Sequence, residues 1–508
     1  MPQNTIKMVN EKLKLIFGLK VAYLRRQKKL TYQQLADSTG LSVAYLHDIE
    51  KGKKYPRGEK IVALAKSFEV HYDELVSLSA GKKLQPVIDL LDSEVFQMFP
   101  LDKFGISRDK LLELFSESPE KLNAFIGTML KIARNYQMQT DNIYTAALRS
   151  YQDMHDNYFE DLEKAANNFR LENNISIKVG FKPAYLEKIL KEKYHVEVNR
   201  DELQKRTQLS TIRSFYAQGW KTLFINKGMT EAQENFLIAR ELGFQYLKLS
   251  PRPAETIIQK AESFDKLFNN FQASYFASAL LMNETDWCHD FKTWAAHHNW
   301  DSYNLLQIFE KYNVTAEMFL QRLTSLLPKH FGINNIFFLR IKSDDRLAGY
   351  RMTKELHLSK LHQPYATEAR EEHYCRRWVS VSVIKQFQTL RQIDQSKNLL
   401  ADVQISKYWE TDKEYLCISV AKPANPNPRE SVSVTVGLLI DDAVKNHFKF
   451  LFDPNMKRKV VHTTCERCSI PDCGSRAVAP TVIEMENRKK AIESELASLG
   501  GMDDMKIV

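Results

Sequence analysis

The chain has 508 residues, a length that suggests about three domains. With 44% hydrophobic and 27% charged residues, it has the composition of a globular protein, which excludes collagen-like, low-complexity and wholly disordered chains. No apolar stretch is as long as a membrane-spanning helix, and the N-terminus lacks the apolar segment of a signal peptide. We therefore expect a cytoplasmic protein without a membrane partner, whose six cysteines are reduced thiols or metal ligands.

Positive charge is concentrated at the N-terminus. The formal charge of the whole chain is +9, and residues 1–80 hold 14 Lys and Arg against 8 Asp and Glu, which is +6 of that total. A basic head on a nearly neutral body suggests a module that binds a polyanion.

The segment RRQKKLTYQQLADSTGLSVAYLHDIEKGKKYP, which begins at Arg25, predicts two short helices around a glycine-containing turn. Thr31 is placed to cap the first helix and Ser42 the second, with Gly40 in the turn. Such a pair is a helix-turn-helix, whose second helix enters the major groove of DNA. Further helices are predicted near 10–29, 59–68 and 71–79, and the residues predicted to form the core are Leu35, Ala36, Leu46 and Ile49.

Residues 10–80 resemble the lambda-repressor-like (Xre) class of DNA-binding domains, through LTYQQLA, the turn that contains Gly40, IEKGKKYP and ALAKSFEVHYDELV. The resemblance implies duplex DNA as a partner and a structural ion pair between Arg25 and Glu50. Apolar groups on the second helix can contact thymine methyls, polar groups can bond base edges or phosphates, and lysines beyond it can fix the position on phosphates. The predicted DNA-binding residues are Gln33, Ser42, Val43, Ala44, Tyr45, His47, Asp48, Lys51, Lys53 and Lys54. The alternative is a degenerate helical module that binds another protein.

Residues 82–172 predict helices, and the last of them, TAALRSYQDMHDNYFEDLEKAANNF, has apolar residues three and four positions apart, as in one long helix. Beside a DNA-binding head such a helix can join two subunits, because paired half-sites require a dimer. Packing within one chain is the alternative. The strand-like segments ISIKVGF and KTLFINKG follow.

The helix TEAQENFLIARELGFQYLK resembles the zinc-binding helix of ImmA/IrrE-type metallopeptidases, where HExxH supplies two His ligands and a general base. The ligand positions are Arg240 and Phe244 here, with Glu241 retained between them. Downstream, FNNFQASYFASALLM resembles the segment that supplies the acidic third ligand, and Asn270 stands at that position. Because these three side chains cannot hold Zn²⁺, we predict a scaffold domain and not an enzyme.

From residue 333 to about 481, strand-like runs (NNIFFLRI, CISVAKP and SVSVTVGLLI) alternate with helical ones. The segment CERCSIPDCGSRAVAP places three thiols within nine residues, and such a loop can converge its sulfurs on a metal or cluster. A fourth ligand is expected from EEHYCRRWVSVSVIKQF, with His462, Cys417 or a non-protein ligand as alternatives. The cofactor is then an iron–sulfur cluster or zinc; otherwise the thiols are small buried or oxidisable groups. The predicted metal ligands are Cys375, Cys465, Cys468 and Cys473.

The whole architecture resembles the short-chain acyl-CoA-responsive transcriptional regulators, through the head motif, SYQDMHDNYFEDLEKAA, ASYFASALLM, VTAEMFLQRLTSLLP, HYCRRW and CERCSIPDCGSRAVAP. The resemblance implies CoA or a short-chain acyl-CoA as effector, and in some members an iron–sulfur cluster. A homodimer or higher homo-oligomer is expected from the paired half-sites. Two segments depart from it: HYCRRW lacks the glycines that commonly precede its Cys, and GLLIDDAV lacks a Cys often found in that strand. An arginine guanidinium can donate two parallel hydrogen bonds to a phosphate group. The predicted ligand-binding residues, all within the two cysteine-containing segments, are Arg376, Arg377, Trp378, Arg467 and Arg476.

We therefore predict a multidomain protein, mainly α with α+β, that acts as a sequence-specific DNA-binding transcriptional regulator and senses a metabolite. An iron–sulfur or thiol redox sensor is the alternative, and a metallopeptidase is disfavoured by the missing ligands. The predicted domains are an all-α helix-turn-helix domain at 1–81, a helical linker or dimerisation region at 82–172, a degenerate zincin-like α+β domain at 173–332 and an α+β sensor domain at 333–508.

Overall fold

The structure is a computed structural model that describes residues 3–77, 100–106, 140–175, 179–210, 212–253, 263–344, 349–357, 372–424 and 430–500. The chain divides into two compact units, of which the first is Met1–Tyr151 with Lys260–Leu267 and the second is Gln152–Gln259 with Phe268–Val508. The helices predicted at 86–99, 109–115 and 119–137, and the centre of the strand-like segment ISIKVGF at 176–178, lie outside the described residues. The domain boundaries after residues 81, 172 and 332 stay predictions.

The first unit contains the helix-turn-helix. Its helices are α1 (Gln3–Gln27), α2 (Tyr32–Thr39), α3 (Val43–Glu50), α4 (Gly58–Phe68) and α5 (Tyr72–Val76), and a 3-10 turn follows at Leu101–Phe104. The helix α6 (Thr140–Met154) begins in this unit. The predicted core residues are confirmed as buried and pack with apolar residues of α1, α4 and α5.

The ends of α2 and α3 are set by local signals in the sequence. The Thr31 hydroxyl accepts a hydrogen bond from the Gln34 backbone N–H, and the Gln34 side chain accepts one from the Thr31 N–H, which completes a capping box. The Ser42 hydroxyl accepts from the Tyr45 N–H, and Gly40 ends α2 with a left-handed φ of 68°. Both predicted caps and the predicted turn are confirmed.

The buried ion pair between Arg25 and Glu50 joins α1 to α3 and confirms the prediction. Arg25 Nε donates to Glu50 Oε1 at 2.6 Å and Nη2 donates to Oε2 at 2.9 Å, while the Tyr32 hydroxyl donates to Oε2 at 2.7 Å. The hydrogen bond to Glu50 raises the pKa of Arg25, and burial together with Glu50 raises the pKa of Tyr32 to about 12. Gly18 permits this close packing, because a Cβ there would lie 2.3 Å from the Ile49 carbonyl oxygen.

The second unit continues with helices and a small sheet. Its elements as far as the large sheet are α7 (Glu160–Glu172), α8 (Pro183–Tyr194), β1 (Glu197–Asn199), α9 (Glu202–Lys205), β2 (Ser214–Ala217), β3 (Thr222–Ile225), α10 (Glu231–Tyr246), α11 (Phe264–Leu281), α12 (Glu284–Ala295), α13 (Ser302–Tyr312) and α14 (Ala316–Phe331). The first residues of α11, as far as Leu267, belong to the first unit. The small sheet has the order β1-β3-β2, with β1 parallel and β2 antiparallel to β3.

The prediction of one long helix over TAALRSYQDMHDNYFEDLEKAANNF is wrong, because α6 and α7 are separate. Asp156 and Asn157 adopt left-handed φ values of 49° and 52°, which a continuing helix excludes. Asn157 is buried; its amide donates to the Thr324 hydroxyl at 2.9 Å, and its side-chain oxygen accepts from Gln152. Tertiary hydrogen bonds therefore fix the break.

A six-stranded sheet forms the C-terminal part, in the order β5-β4-β8-β7-β6-β9. Neighbouring strands are antiparallel except for β6 and β9, which are parallel. The elements are β4 (Ile336–Asp344), β5 (Gly349–His357), α15 (Val379–Ile393), β6 (Leu400–Tyr408), β7 (Glu414–Pro423), β8 (Ser431–Leu439), α16 (Asp442–His447), β9 (Arg458–Val461) and α17 (Thr481–Gly500).

Both faces of the large sheet are covered, as the alternation along β7 shows. Leu416, Ile418 and Val420 enter the main core, which includes α14, whereas Tyr415 and Cys417 enter a smaller core on the other face beside α15. The predicted class, multidomain and mainly α with α+β, is confirmed. Within the described residues no helix is both long and apolar enough to cross a membrane.

Candidate functional site

The outer face of α3 presents several of the predicted DNA-binding residues to solvent. Val43, Ala44 and His47 are exposed, while Tyr45 and Asp48 are half-buried at its sides. At the N-terminal end, Ser42 and Gln33 of α2 are also exposed, so a phosphate group can approach this end of α3. The lysines that follow α3 comprise half-buried Lys51 and exposed Lys53 and Lys54.

Internal contacts orient the polar side chains on this face. The Lys60 ammonium lies 4.1 Å from the centre of the Tyr45 ring, and Lys54 pairs with Asp48 at 2.8 Å. The hydrogen bond to Lys54 lowers the pKa of the Asp48 carboxyl. These contacts make Asp48 a partner of Lys54 within the protein. The sequence did not predict Lys60, because its approach to Tyr45 depends on how α4 packs beside α3.

Two further predicted residues have partners of their own. His47 makes an edge-on ring contact with Tyr32, at 5.7 Å between ring centres. Gln33 donates to the Asp37 carboxylate at 2.8 Å along the outside of α2. Both side chains remain exposed, so their contacts orient them without removing them from the surface. Their roles in DNA binding stay predictions.

The second candidate site comprises the positions that correspond to the metal ligands of the metallopeptidases that the sequence resembles. Arg240 and Phe244 lie one turn apart on α10, and Arg240 Nη1 donates to Asn270 Oδ1 of α11 at 3.3 Å. The three positions identified in the sequence therefore converge in space. Burial lowers the pKa of Arg240 to about 10, against the opposing effect of Glu241. A guanidinium stands at this centre, where a peptidase would place the first metal ligand.

Glu241, the position of the peptidase general base, is fully engaged in a buried ion pair. Arg252 Nη1 donates to its Oε1 at 2.8 Å, a second short contact joins Nη2 to Oε2, and Gln245 also donates to Oε1. The Arg252 guanidinium lies 4.1 Å from the ring centres of both Tyr216 and Phe244. A carboxylate held by a stacked, bidentate arginine is not free to take a proton from water.

A cavity of about 270 Å³ opens beside Arg240 and Asn270 within the second unit. Polar residues of α11 and α14 and basic residues of the large sheet line it, although they are far apart in the sequence. The sequence did not indicate this cavity, because no motif connects the residues that line it. The residues that concern its chemistry are Arg213, Gln233, Arg240, Asn270, Ser274, Ser278, Thr315, Glu317, Gln321, Arg322, Lys354 and Lys422.

Glu317 is the acidic member of this lining, and cations surround it. Lys354 Nζ lies 3.4 Å from its Oε1, and Arg340 Nε lies 3.5 Å from its Oε2. Burial alone would raise the pKa of Glu317, but Lys354, Lys422, Arg340 and Arg213 together hold it at about 2. Burial also lowers the pKa of Lys422 and of Arg213. Glu317 is therefore held as a carboxylate among these cations.

The third candidate site is the cysteine loop after β9. An isolated bridge between Tyr374 and Thr464 brings Cys375 alongside the loop, where Cys375 N–H donates to the Thr463 carbonyl. Cys375, Cys465 and Cys468 are buried and Cys473 is half-buried, and all are free thiols. Burial raises the pKa of Cys375 and of Cys468, which disfavours the thiolate form in the absence of a cation.

The arginines predicted to bind a ligand make internal contacts. Arg467 forms a bidentate pair with Glu372 at 2.8–3.0 Å, and Arg476 donates to the backbone carbonyls of Cys465, Cys468 and Ile470. These contacts give both arginines a positioning role in the loop.

The neighbouring predicted residues pack around the same loop. The Arg376 guanidinium lies 4.6 Å from the centre of the Tyr350 ring, and Trp378 is buried with its indole N–H donating to the His462 carbonyl. Arg377 is half-buried, and its backbone carbonyl accepts from Gln404. Ligand binding by these residues stays a prediction.

The donor chemistry of four thiols suits an iron–sulfur cluster or zinc. Across the part of the chain that the structure describes, no three His, Cys, Asp or Glu side chains converge on a point that could hold a metal. Arg476 fixes the backbone of the loop by its three hydrogen bonds to carbonyls. Binding of a metal or cluster by these cysteines stays a prediction.

Two family matches cover separate parts of the chain. Residues 21–75 match the family described as helix-turn-helix, and residues 188–324 match the family described as IrrE N-terminal-like domain. No curated protein matches the chain. A Mycobacterium tuberculosis transcriptional regulator is similar in structure at 18% sequence identity and a TM-score of 0.46, over 65% of this chain and 92% of that chain. From the two family matches, the chain contains a helix-turn-helix domain followed by an IrrE-like domain.

Proposed function

We propose that the protein is a DNA-binding transcriptional regulator that senses a metabolite and is not an enzyme. The observation that carries the proposal is the outer face of α3, where Val43, Ala44 and His47 are exposed beyond a capped N-terminus. Small apolar groups at these positions allow close approach to base edges and to thymine methyls. The fixed ion pair beneath α3 holds this face rigid.

The positive charges beside α3 also favour contact of its outer face with DNA. The lysines after α3 lie where they can reach phosphates, and Lys60 extends this basic margin beside Tyr45. Phosphate contacts supply sequence-independent affinity, whereas Val43, Ala44 and His47 supply the discrimination between sequences. We further propose a homodimer, since a symmetric pair of heads reads two half-sites on one face of the duplex.

The side chains at the peptidase ligand positions, and their contacts, support the absence of peptidase activity. Arg240 and Phe244 occupy two ligand positions, and Asn270 accepts from Arg240 at the third. Arg252 neutralises Glu241, so the carboxylate at the general-base position is not free to act as a base. The domain then acts as a scaffold.

We propose CoA or a short-chain acyl-CoA as the effector. The support is the resemblance to acyl-CoA-responsive regulators, together with Arg376 and Arg377 in the HYCRRW segment beside the cysteine loop. An effector changes DNA affinity only if it binds two states of the protein with different free energy. Arg476 and Arg467 fix the loop in one state, and release of their contacts would define the other.

The test is enrichment of duplexes from a random library by the full chain, followed by titration of the selected duplex by fluorescence anisotropy. We expect saturable binding that weakens steeply with salt and changes on addition of acetyl-CoA, propionyl-CoA or free CoA. No enrichment over random duplex would contradict sequence-specific DNA binding. Enrichment without any effect of the three compounds would contradict the effector proposal alone.

A redox- or metal-sensing regulator is the alternative, and the approach of Cys375 to the cysteine loop favours it. An iron–sulfur cluster or zinc would use Cys375, Cys465, Cys468 and Cys473, after a rearrangement of the loop that Arg476 now fixes. Anaerobic purification with metal analysis and a visible spectrum tests this alternative. Stoichiometric iron or zinc that is lost in Cys468→Ser would support it, and metal-free protein that still responds to CoA would contradict it.

A further inference from the structure

We propose that helix α17 pairs with the same helix of a second copy of this chain, as a parallel two-stranded coiled coil. The inference rests on the homodimer proposed above and names the surface that forms it. It places the contact between the two copies on α17, whereas the sequence suggested the helical segment within residues 82–172.

Helix α17 is anchored at its start and exposed along the rest of its length. The Val482 backbone N–H donates to the carbonyl of Glu466 in the cysteine loop at 3.1 Å, and Val482 is half-buried. Every residue from 484 to 498 is exposed. Helices in proteins are stabilised mainly by the packing of an apolar face against a neighbour, so the exposed part of α17 is suited to receive a partner.

The apolar side chains on this exposed part have the spacing of a coiled coil. Met485, Ile492 and Leu496 are 64%, 49% and 61% exposed, although each is a large apolar group. In a heptad repeat, Met485 and Ile492 occupy the d positions, whereas Lys489 and Leu496 occupy the a positions. We call these four residues the seam. A stripe of a and d positions alone is narrower than the apolar face of a helix in a globular core, and it fits one other helix.

The charges beside the seam identify this other helix as a second copy in parallel orientation. In a parallel pair, the g position of one helix faces the e position of the next heptad in its partner. These positions are Arg488 and Glu493, which carry opposite charges, and twofold symmetry forms the contact twice. In an antiparallel pair the e positions would face each other, so Glu486 and Glu493 would repel.

Lys489 limits the number of helices in the bundle. A single polar residue at an a position fixes the register and the number of strands, at a cost in stability. In a two-stranded pair the lysine stem can cover the seam while its ammonium group stays in water, where Glu493 of the same helix lies 3.7 Å away. We therefore expect a dimer that dissociates on dilution.

The test is sedimentation velocity on the full chain without DNA, over a dilution series that yields the dissociation constant of the dimer. Ile492→Glu should raise this constant by about a hundredfold or more, because two carboxylates would then face each other in the seam. Ser494→Glu is the matched control, since it adds the same charge at an exposed position on the opposite side of α17, and it should associate as the native chain does. Lys489→Ile should lower the constant by about tenfold or more, because it removes the charge from the seam.

An exchange of charges tests the orientation. Arg488→Glu places two carboxylates opposite each other beside the seam and should weaken the dimer by about fivefold. Addition of Glu493→Arg to this variant should restore most of the lost affinity. A double variant that associates no better than Arg488→Glu alone would overturn the parallel pairing.

Thermal unfolding of the dilute variants checks that they fold, and Leu496→Glu replaces Ile492→Glu if the latter does not. Equal association of the native chain and the seam variant would overturn the role of α17, while the proposed homodimer would stand on another surface. A native chain that stays monomeric throughout the dilution series would overturn both. DNA binding by the head is measured separately in the anisotropy titration, so its failure is distinguishable from either result.

Discussion

Replacing Glu50 by glutamine tests the ion pair that fixes α3 on α1. The Glu50 carboxylate accepts three hydrogen bonds, two from Arg25 and one from Tyr32, and the side chains of Arg25 and Glu50 are 10% and 5% exposed. Glutamine retains one acceptor oxygen and turns an amide NH₂ toward the guanidinium. Arg25 then keeps its charge in a buried position without a counter-charge.

Removal of one partner of a buried ion pair costs about 3–5 kcal/mol. For Glu50→Gln we expect the free energy of unfolding to fall by about 3 kcal/mol, the lower end of this range. One acceptor oxygen remains, and Arg25 also donates to the Leu30 carbonyl at 3.0 Å. Tyr32→Phe, which removes one hydrogen bond to the carboxylate, should cost about 1.5 kcal/mol. Both losses are large against the roughly 5–15 kcal/mol of a whole domain.

Hydrogen exchange measured by mass spectrometry on the full chain is the assay, since all six tryptophans lie outside the head and their fluorescence does not report on it. In Glu50→Gln, peptides from α2 and α3 should exchange about a hundredfold faster. Peptides from β7 and β8 in the same sample are the internal control and should not change.

The double variant Arg25→Met with Glu50→Met separates the cost of an uncompensated charge from the loss of packing. It should be more stable than Glu50→Gln alone, because no charge is left buried. The reasoning is refuted if Glu50→Gln leaves the exchange of α2 and α3 unchanged, or if the double variant is the least stable of the series.

Three further outcomes follow from the described contacts. Gly18→Ala should destabilise the head by about 1–3 kcal/mol in the same exchange assay, because the added Cβ would clash with the carbonyl oxygens of Ile49 and Glu50. Gly219→Ala is the control and should be neutral, because no atom lies within 4 Å of its added Cβ. Asp48→Asn should tighten DNA binding several-fold and steepen its salt dependence by about one unit, because Lys54 becomes free for a phosphate; unchanged binding would contradict this. The native chain should lose on the order of 3 kcal/mol of unfolding free energy as the pH falls from about 4.5 through the depressed pKa of Glu317 at about 2. Glu317→Gln should not show this loss when thermal unfolding is measured over the same pH range.

The helix-turn-helix could be predicted from the sequence because its signals are local. The caps Thr31 and Ser42, the turn at Gly40 and the spacing of Leu46 and Ile49 are each read within a few residues, and all are confirmed. The approach of Arg240 to Asn270 was also predictable, since the helix motif keeps the spacing of the ligand positions in the peptidases that it resembles.

Features that depend on distant contacts could not be predicted. The break between α6 and α7 is fixed when Asn157 donates to Thr324, 167 residues away, and no local signal at Asn157 outweighs the helical periodicity around it. Arg467, a predicted ligand-binding residue, pairs with Glu372, 95 residues earlier, and no local signal indicated this partner. A side chain with a suitable charge indicates what it can bind, whereas the fold decides which partner it meets.

The cavity illustrates the same limit. Arg213 precedes β2, Arg240 lies on α10, Lys354 on β5 and Lys422 on β7. Each is an ordinary basic residue in the sequence, with no motif around it. Only the packing of the IrrE-like domain on the large sheet, within one compact unit, places them around a common space.

The central claim is that the outer face of α3 enters the groove of duplex DNA, and a matched pair of variants tests it most directly. Val43 on α3 and Val62 on α4 are 39% and 42% exposed, so glutamate at either position is tolerated equally by the fold. In an anisotropy titration with the selected duplex, Val43→Glu should weaken binding by about a hundredfold, because its carboxylate faces phosphates, and Val62→Glu by less than about threefold. Equal affinities of the two variants for DNA would contradict the claim.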